Sequence, residues 1–295
     1  MPELPEVETI RRDLEKKIIN KKIVDVEILN KKTVHGNNQV FLDILKNNKI
    51  KRIERIGKLI IFDLADGKNF LFVHLKMTGQ LIYTRADTKI IAAGGHSEEW
   101  GKPRHITEKF DSFNKYARVI ITFVDKTRLY FNDLRVFGYM KIDNKIAKDK
   151  IIKDFGIEPF TENFTLNNFA NIFENRRISL KAILLNQKLI AGIGNIYADE
   201  ICFRAKIRPD KSVSILTKQE MNKLYLAIPH ILKKAIKNRG TTFNNYVDAE
   251  GRRGSFVRYL QVYGRGGQDC KKCRGQLKKI KLSGRGTVYC ETCQK

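Results

Sequence analysis

The chain has 295 residues, of which 42% are hydrophobic, enough for two or three domains with apolar cores. Lysine and arginine number 57 against 32 acidic residues, and the resulting net charge of +25 favours a polyanionic partner, most simply nucleic acid, with an anionic membrane surface as the alternative. No stretch approaches the roughly 20 apolar residues of a membrane span and no secretory signal is recognisable, so we expect a soluble cytoplasmic protein.

The N-terminus carries the first chemical signal. Removal of Met1 would leave Pro2 with a free secondary amine, whose unperturbed pKa of roughly 7.7–8.0 keeps part of it neutral and nucleophilic near physiological pH. Glu3 follows directly and could supply or accept a proton. The alternative interpretation is an ordinary protein start without chemical function.

Residues 5–19 have the pattern of an amphipathic helix. Pro5 suits its first turn, acidic residues suit its positive end, and an apolar stripe recurs at helical spacing: Val7, Ile10, Leu14 and Ile18. The positive end of the helix would favour a neutral Pro2 amine, whereas Glu3 and Glu6 would oppose that effect, and the sequence leaves the balance open.

Residues 22–145 have a β pattern, which predicts an antiparallel sandwich or barrel. The eight predicted strands are Ile23–Leu29, Ile50–Ile56, Lys58–Asp63, Phe70–Leu75, Gln80–Thr84, Ala117–Val124, Arg128–Phe131 and Phe137–Ile142. A long inserted loop at about 85–112 interrupts them. His96, Trp100 and His105 lie there, either as a ligand or metal site or, as we favour, on a plain surface excursion.

Between about 150 and 240 the period becomes helical. The predicted helices are Thr165–Phe173, Ser179–Leu185, Ile196–Phe203 and Lys218–Lys237. The segment 191–195, Ala-Gly-Ile-Gly-Asn, leads into the third helix, and its exposed backbone N–H groups could bind a phosphate. Asn195 could cap that helix, and the basic Arg176, Arg177 and Lys181 strengthen this prediction of a phosphate site.

The C-terminal region begins with a glycine- and arginine-rich stretch at 239–269, for which we predict a mobile loop at 248–254 and a short strand at Tyr259–Tyr263. Two C-x2-C pairs follow, sixteen residues apart, and their spacing predicts one structural zinc held by Cys270, Cys273, Cys290 and Cys293. Disulfides are the alternative, which an intracellular location disfavours. The fifth thiol, Cys202, fits an inert buried position. Strands at 278–282 and 287–290 would place Arg285 at a hairpin tip, where it could hold a phosphate or remain an ordinary solvated residue.

These motifs together resemble the bacterial formamidopyrimidine-DNA glycosylases, base-excision repair enzymes that remove oxidised purines. The resemblance covers nearly the whole chain. It rests on Pro-Glu-Leu-Pro-Glu-Val-Glu-Thr at 2–9, Gly-Lys at 57–58, His-Leu-Lys-Met-Thr-Gly at 74–79, Asp-Leu-Arg-Val-Phe-Gly at 133–138, Ala-Gly-Ile-Gly-Asn-Ile-Tyr-Ala-Asp-Glu at 191–200, Val-Tyr-Gly-Arg at 262–265 and the cysteine module.

The resemblance implies an α+β multidomain fold. Its expected parts are an N-terminal catalytic β-sandwich with an N-terminal helix at 1–147, a helix-two-turn-helix DNA-binding domain at 148–258, and a C-terminal β-hairpin zinc finger at 259–295. The segment 248–256 would be the loop that closes over an extruded base.

The resemblance also implies a bifunctional glycosylase and abasic-site lyase. Pro2 would attack C1′ of the damaged nucleotide to form a Schiff base, and Glu3 would assist sugar opening and base departure. Lys58 would serve the first elimination and Arg285 the second, so that the strand is cleaved on both sides of the vacated sugar.

Further residues are expected to bind DNA by the same resemblance. Met77, Arg135 and Phe137 match the residues that fill the gap left by a flipped base, although sequence alone would place Met77 and Phe137 in a core. Arg176, Lys181 and Asn195 match phosphate-contacting positions, and His74 is a further contact. Lys115-Tyr116 departs from the Lys-His of many family members, which puts the expected contact of Tyr116 in doubt, and the insertion near 85–112 is longer than usual.

Two other functions compete with this interpretation. An oxidised-pyrimidine glycosylase of the endonuclease VIII type would typically open Pro-Glu-Gly-Pro, which this chain does not. A non-catalytic zinc-ribbon nucleic-acid-binding protein would explain the charge and the cysteines but not Pro2, Glu3 and Lys58 together. We therefore expect a monomeric enzyme acting on damaged double-stranded DNA, associated with a bacterial nucleoid and not with membrane.

Overall fold

The computed structural model describes residues 2–84, the backbone of 90–95, and residues 115–241 and 254–295. The chain forms two compact units, Met1–Ile152 with Asn238–Val257, and Lys153–Lys237 with Arg258–Lys295. The helices are α1 (Leu4–Ile18), α2 (Asn38–Leu45), α3 (Lys145–Asp154), α4 (Leu166–Asn171), α5 (Leu180–Leu185), α6 (Asn195–Ala205) and α7 (Lys218–Lys237). Within the described residues, no helix is long and apolar enough to cross a membrane.

The first unit is a sandwich of two five-stranded sheets. Its strands are β1 (Ile23–Ile28), β2 (Val34–His35), β3 (Ile50–Ile56), β4 (Leu59–Leu64), β5 (Asn69–His74), β6 (Gly79–Thr84), β7 (Ile90–Gly95), β8 (Ala117–Phe123), β9 (Arg128–Asp133) and β10 (Tyr139–Asn144). One sheet has the order β1-β8-β9-β6-β7 and the other β2-β10-β5-β4-β3. The neighbouring strands are antiparallel except for β2 and β10.

The core of this unit lies between the sheets and beneath α1. Alternate residues of β4 and β5, such as Ile60, Phe62 and Val73, are buried in one cluster with the stripe of α1. Each of the four predicted stripe residues on α1 is completely buried, which confirms that face of the helix. Burial of a whole aliphatic side chain stabilises by roughly 1.5–3 kcal/mol, so this helix is held mainly by its apolar face.

The predicted fold class is confirmed, with a sandwich rather than a barrel. The eight predicted strands are present, with ends shifted by a few residues. The prediction of a loop over 85–112 is wrong for Ile90–Gly95. This segment is a strand, because its backbone pairs with β6 and so forms the edge of that sheet. His96, Trp100 and His105 lie outside the described residues. The sequence reasoning also missed α2, capped by the Asn37 side chain, and α3.

The second unit contains α4–α7 and a two-stranded hairpin, β11 (Lys278–Leu282) and β12 (Arg285–Tyr289). The four predicted helices are present. The predicted strand at Tyr259–Tyr263 is wrong, since a 3-10 helix at Phe256–Tyr259 leads into this segment. The amides of Gln261, Val262 and Tyr263 donate to the buried Glu200 carboxylate at 2.9–3.0 Å, so these donors do not bond a neighbouring strand.

Candidate active site and nucleic-acid interface

Pro2 and Glu3 are buried at the start of α1. Glu3 is the N-cap residue and forms a capping box with Glu6, whose Oε2 accepts the Glu3 amide at 2.8 Å. The first helical hydrogen bond runs from Val7 N to Glu3 O at 3.0 Å. The direction of the backbone at Pro2 is therefore fixed by the helix that follows it.

Glu6 also connects α1 to the segment 239–241. Its Oε1 accepts the Thr241 amide at 2.7 Å. Gly240 adopts φ +82°, and a Cβ there would lie 2.7 Å from the same oxygen, so only glycine permits this approach. Further along the helix, Asp13 forms an ion pair with Arg239. Two acidic side chains of α1 thus hold the chain just before residues 242–253, which lie outside the described residues together with most of the predicted lesion-capping loop.

A chain of polar contacts links α1 to Lys58. Glu8 accepts from Arg55 at 3.0 Å, and Arg55 donates its second nitrogen to the carbonyl of Gly57 at 2.8 Å. Gly57 adopts φ +55°, which turns the backbone between β3 and β4 and places Lys58 before β4. Burial alone would raise the pKa of Glu8, but contacts with Arg11, Arg55 and Arg12 lower it to about 2. The Lys58 side chain is itself buried.

His74 ends β5, directly opposite Leu59, so that His74 and Lys58 lie at the same end of these two neighbouring strands. The His74 Nδ1 accepts the Lys76 amide at 3.0 Å, which leaves Nε2 to carry the proton of the neutral ring. Burial and the positive charges of Lys76 and Lys58 lower the pKa of His74 to about 3. The ring is therefore a neutral donor, suited to a phosphate oxygen.

Met77 and Phe137 are exposed rather than buried. Their relative exposures are 36% and 53%, which decides between the core position that sequence alone suggests and an accessible one. Met77 lies between β5 and β6, and Phe137 lies between β9 and β10. The Arg135 guanidinium lies 4.5 Å from the centre of the Phe137 ring, so this loop presents an apolar and a cationic group together.

Asp133 ties these two loops together, and sequence reasoning assigned it no role. It is completely buried, and its Oδ1 accepts the Arg135 amide at 3.2 Å and the Thr78 hydroxyl. Its Oδ2 accepts the Gly138 amide at 2.6 Å. One carboxylate therefore sets the spacing of the Met77 loop and the Arg135–Phe137 loop. A carboxylate immediately before a turn was the available sequence signal.

Tyr116 precedes β8 and is half-buried, with the Lys115 ammonium 5.5 Å from its ring centre. Its carbonyl accepts the Asp133 amide at 2.9 Å. The backbone of the variant Lys-Tyr pair thus adjoins the Arg135–Phe137 loop.

In the second unit, Gly192 has φ +92° and Gly194 is the N-cap of α6. The predicted cap at Asn195 is therefore displaced by one residue, because glycine satisfies the extended cap conformation. Asn195 instead donates to the Gly286 carbonyl of β12 at 3.1 Å. Gln187 fixes the glycine loop, since its Oε1 accepts the Gly192 amide and its Nε2 donates to the Ile193 carbonyl.

Lys181, a predicted phosphate contact, lies in a buried polar network. The side chain is completely buried, and its ammonium donates to Asp199 at 2.6 Å, Thr287 Oγ1 at 2.8 Å and Gly286 O at 3.1 Å. All three donors of the ammonium are used within the protein. The same Asp199 accepts the Val288 amide at 3.0 Å, and burial raises its pKa to about 6 despite the charge of Lys181. Lys181 therefore holds β12, the strand that begins with Arg285.

Arg285 is exposed and directly follows the Ser283-Gly284 turn, whose φ values are 49° and 73°. It pairs with Leu282 as the first residue of β12, one position from the predicted tip. Arg176 is exposed and donates to the Ile172 carbonyl at 2.7 Å. Both side chains keep further guanidinium donors for a ligand.

The four C-terminal cysteines converge as predicted. Their sulfur atoms all lie within 4.8 Å of one another, with 4.0 Å between Cys270 and Cys293 and 3.4 Å between Cys273 and Cys290. Tetrahedral zinc with Zn–S bonds of about 2.3 Å needs sulfur separations of just under 4 Å, so the donor set fits one structural zinc. Val262, Leu277 and Val288 pack around this site. Cys202 is completely buried, and burial raises the pKa of its thiol far above the usual range, as expected of an inert thiol.

Three domain families match the chain in order. They are the formamidopyrimidine-DNA glycosylase N-terminal domain at residues 1–140, the H2TH domain of the same enzymes at 155–246, and the zinc finger found in FPG and IleRS at 267–295. The curated formamidopyrimidine-DNA glycosylase of Desulfitobacterium hafniense is 38% identical and that of Listeria monocytogenes 35%, each over the whole length of both chains.

Solved structures agree with these matches. A complex between Lactococcus lactis Fpg and DNA containing an abasic site is 33% identical, with a TM-score of 0.84 over 99% of each chain. The wild-type form of that protein bound to DNA containing N7-benzyl-Fapy-dG also gives a TM-score of 0.84, over the whole of both chains. The chain belongs to the formamidopyrimidine-DNA glycosylase family and is a DNA glycosylase of that type, which confirms the family, the enzyme class and the zinc finger predicted from sequence.

Proposed function

We propose that this chain removes oxidised purines, 8-oxoguanine and formamidopyrimidines, from double-stranded DNA and then cleaves the strand on both sides of the vacated sugar. The observation that carries the proposal is the combination, in one compact unit, of a fixed Pro2–Glu3 start with two exposed apolar side chains, Met77 and Phe137, on loops tied to one buried carboxylate. An enzyme that acts on a base must extrude it, and an apolar wedge can fill the gap.

The chemistry begins at Pro2 after removal of Met1. The secondary amine attacks C1′ as the bond from C1′ to the base breaks, and the amine loses its proton; the C1′–O4′ bond then breaks, and the resulting ring-opened iminium makes the C2′ proton acidic. Glu3 supplies the proton that opens the sugar ring and assists departure of the base. The capping box supports this role, since it holds the Glu3 backbone at the first turn of α1.

Lys58 and Arg285 take part in the two eliminations. Lys58 donates to a phosphate and serves the first elimination, and its fixed place after Gly57 supports this assignment. Arg285 binds the phosphates near the lesion and assists the second, as its exposure on a metal-stabilised hairpin allows. His74, Met77, Tyr116, Arg135, Phe137, Arg176 and Asn195 complete the proposed DNA contacts. The enzyme acts as a monomer on nucleoid DNA in a bacterial cytoplasm, and the functional boundaries at 147/148 and 258/259 remain predictions.

The test is borohydride trapping of the Met1-processed protein on a duplex with one 8-oxoguanine opposite cytosine, followed by intact-mass and peptide mapping. We expect a covalent adduct at Pro2. Pro2→Gly should strongly weaken trapping, and Glu3→Gln should bind the duplex while turning over more slowly by about 100-fold or more, in line with the usual contribution of general acid catalysis.

Glu15→Gln is a matched control, since Glu15 is half-buried on the same helix and pairs only with Arg11 among the contacts described for it. Its trapping should equal that of the unaltered protein. Full trapping by Pro2→Gly would remove the nucleophile assignment. Trapping on an oxidised pyrimidine but not on 8-oxoguanine would favour the endonuclease VIII type of activity instead.

A further inference from the structure

Three aromatic side chains form a row that extends from His74 to the edge of its sheet. Tyr139 of β10 is the register partner of His74, and their ring centres are 5.8 Å apart. His35 of β2 also stacks on Tyr139, with ring centres 4.5 Å apart and planes within 9°. We call His74, Tyr139 and His35 the aromatic row.

The row changes from partly buried to accessible along its length. His74 and Tyr139 are half-buried, whereas His35 is exposed. Phe72 and Leu59 on the same face are buried, so this face is covered under β4 and β5 and opens toward β2. The buried positions on this face carry apolar side chains, whereas the aromatic row places imidazole and phenol groups where the burial ends. Such amphipathic rings are suited to one packed side and one polar contact.

The surroundings of the row are positively charged. The Lys76 ammonium lies 5.7 Å from the centre of the Tyr139 ring, and the charges of Lys76 and Lys58 both act on His74. Lys141 lies opposite His35 in the register, but it forms an ion pair with Asp143 at 2.7 Å. Burial outweighs Lys141 and raises the pKa of Tyr139, so its phenol keeps a proton to donate.

We propose that Tyr139 and His35 extend the phosphate-binding surface of His74, and that each donates a hydrogen bond to the DNA backbone beside the lesion. The inference rests on the proposed function, because it uses the DNA that His74 would contact. Neutral ring donors bind phosphate oxygens without releasing additional counterions, and the stack fixes their orientation in advance. Lys76 supplies a positive charge beside the Tyr139 ring.

The experiment measures binding of the full protein to a duplex carrying a tetrahydrofuran abasic analogue, over a series of salt concentrations at pH 8. Tyr139→Phe and His35→Phe keep the ring stack and remove one donor each. Each should weaken binding by roughly 10- to 150-fold, as expected for one hydrogen bond to a charged group. Neither should change the slope of log affinity against log salt, whereas Lys76→Met should reduce that slope by about 0.9.

Shortening the duplex one nucleotide at a time from each end tests the source of the effect. The defect of the two variants should disappear when the phosphates they contact are removed, while the Lys58- and His74-dependent binding remains. His230→Phe removes an exposed histidine on α7 and should bind as the unaltered protein does. Full affinity of both ring variants, with tight binding by the unaltered protein, would overturn the proposal that Tyr139 and His35 bind the DNA backbone. Failure of the unaltered protein to bind the duplex would instead overturn the proposed function.

Discussion

The first compact unit fixes Pro2 and Glu3 mainly by burial, whereas the second fixes Arg285 by polar contacts and a metal-binding cluster. Leu4, Val7 and Ile10 at the start of α1 are completely buried, and one carboxylate, Glu6, bonds the Glu3 amide. The strand of Arg285 belongs to a hairpin of two five-residue strands, which is marginally stable at best by itself.

Both units use a buried carboxylate that accepts a backbone amide in the element that carries a proposed catalytic residue. Glu6 does so for Glu3, and Asp199 does so for Val288. The second unit adds the Lys181 ammonium and four cysteines because its hairpin buries little apolar area. A segment without its own core thus needs ionic and metal contacts. The loss of one such group should therefore destabilise the hairpin of the second unit more than a comparable loss destabilises the start of α1.

Removal of the metal site is expected to have the largest effect. Cys290→Ser should lose zinc, since structural zinc contributes on the order of 10–16 kcal/mol in small zinc domains. Metal analysis should show less than one zinc per chain, and affinity for abasic duplex should fall by about 100-fold or more, equivalent to about 2.7 kcal/mol. Cys202→Ala, at the buried thiol outside the cluster, should retain zinc. Normal zinc content and affinity in Cys290→Ser would show that the hairpin does not depend on a metal.

The buried ion pair is expected to come next. Lys181→Met leaves the Asp199 carboxylate without its cation, and breaking such a pair typically costs about 3–5 kcal/mol of unfolding free energy. The double variant Lys181→Met/Asp199→Asn removes the charge but keeps an acceptor for the Val288 amide, so it should recover part of that stability. Denaturant unfolding measures both variants. A single variant as stable as the unaltered protein would show that the pair does not hold β12.

Asp133→Ala should remove the tie between the Met77 loop and the Arg135–Phe137 loop. The substitution leaves the buried amide of Gly138 without its acceptor, at about 1–3 kcal/mol, and removes one of the two acceptors of the Arg135 amide. Cleavage of 8-oxoguanine duplex should fall more than cleavage of a preformed abasic site, because only the first requires extrusion of a damaged base. Asp125→Ala alters a carboxylate in another turn of the same sheet and serves as the control. Equal losses on both substrates would argue against a role in extrusion.

The smallest expected effect is at Glu8. Its pKa is lowered from 4.5 to about 2, so its contribution to stability is present above pH 4.5 and is lost as the pH falls toward 2. The shift corresponds to about 2 kcal/mol after allowance for partial exposure. Glu8→Gln should therefore reduce stability at pH 7 and flatten the decline between pH 4.5 and 2. If Glu8→Gln left the dependence of stability on pH unchanged, the contacts of Glu8 with Arg11, Arg12 and Arg55 would not stabilise the folded protein.

The eight predicted strands of the first unit and the long helices α1 and α7 were predictable because each carries an apolar period of its own, whereas the short α2 and α3 were missed. The four cysteines were predictable because their spacing alone determines which atoms can meet. In contrast, β7 lacks the polar residues that alternate with apolar ones in a half-buried strand, and only its pairing with β6 identifies it. Periodicity reports local structure and carries no information about which distant strand supplies the hydrogen bonds.

The site was less predictable than the fold. Lys181 matched a phosphate-binding position, yet burial beside Asp199 and Thr287 occupies its donors, and no sequence pattern reveals such long-range partners. Asp133 was missed for the same reason, because its partner Thr78 lies 55 residues away. Exposure of Met77 and Phe137 likewise depends on the ends of strands that only the folded sheet brings together.

The bond network of Asp133 has a consequence for protein engineering. Thr78 belongs to one loop, Gly138 to the other, and a Cβ at Gly138 would lie 2.8 Å from Phe131. If only one loop were replaced by that of a relative, its new backbone would have to fit the Asp133 carboxylate while the other loop still held that carboxylate in its original position. The loops of Met77 and Phe137 therefore constitute one exchangeable unit, and substitutions in them should be made jointly while retaining Thr78, Asp133 and Gly138.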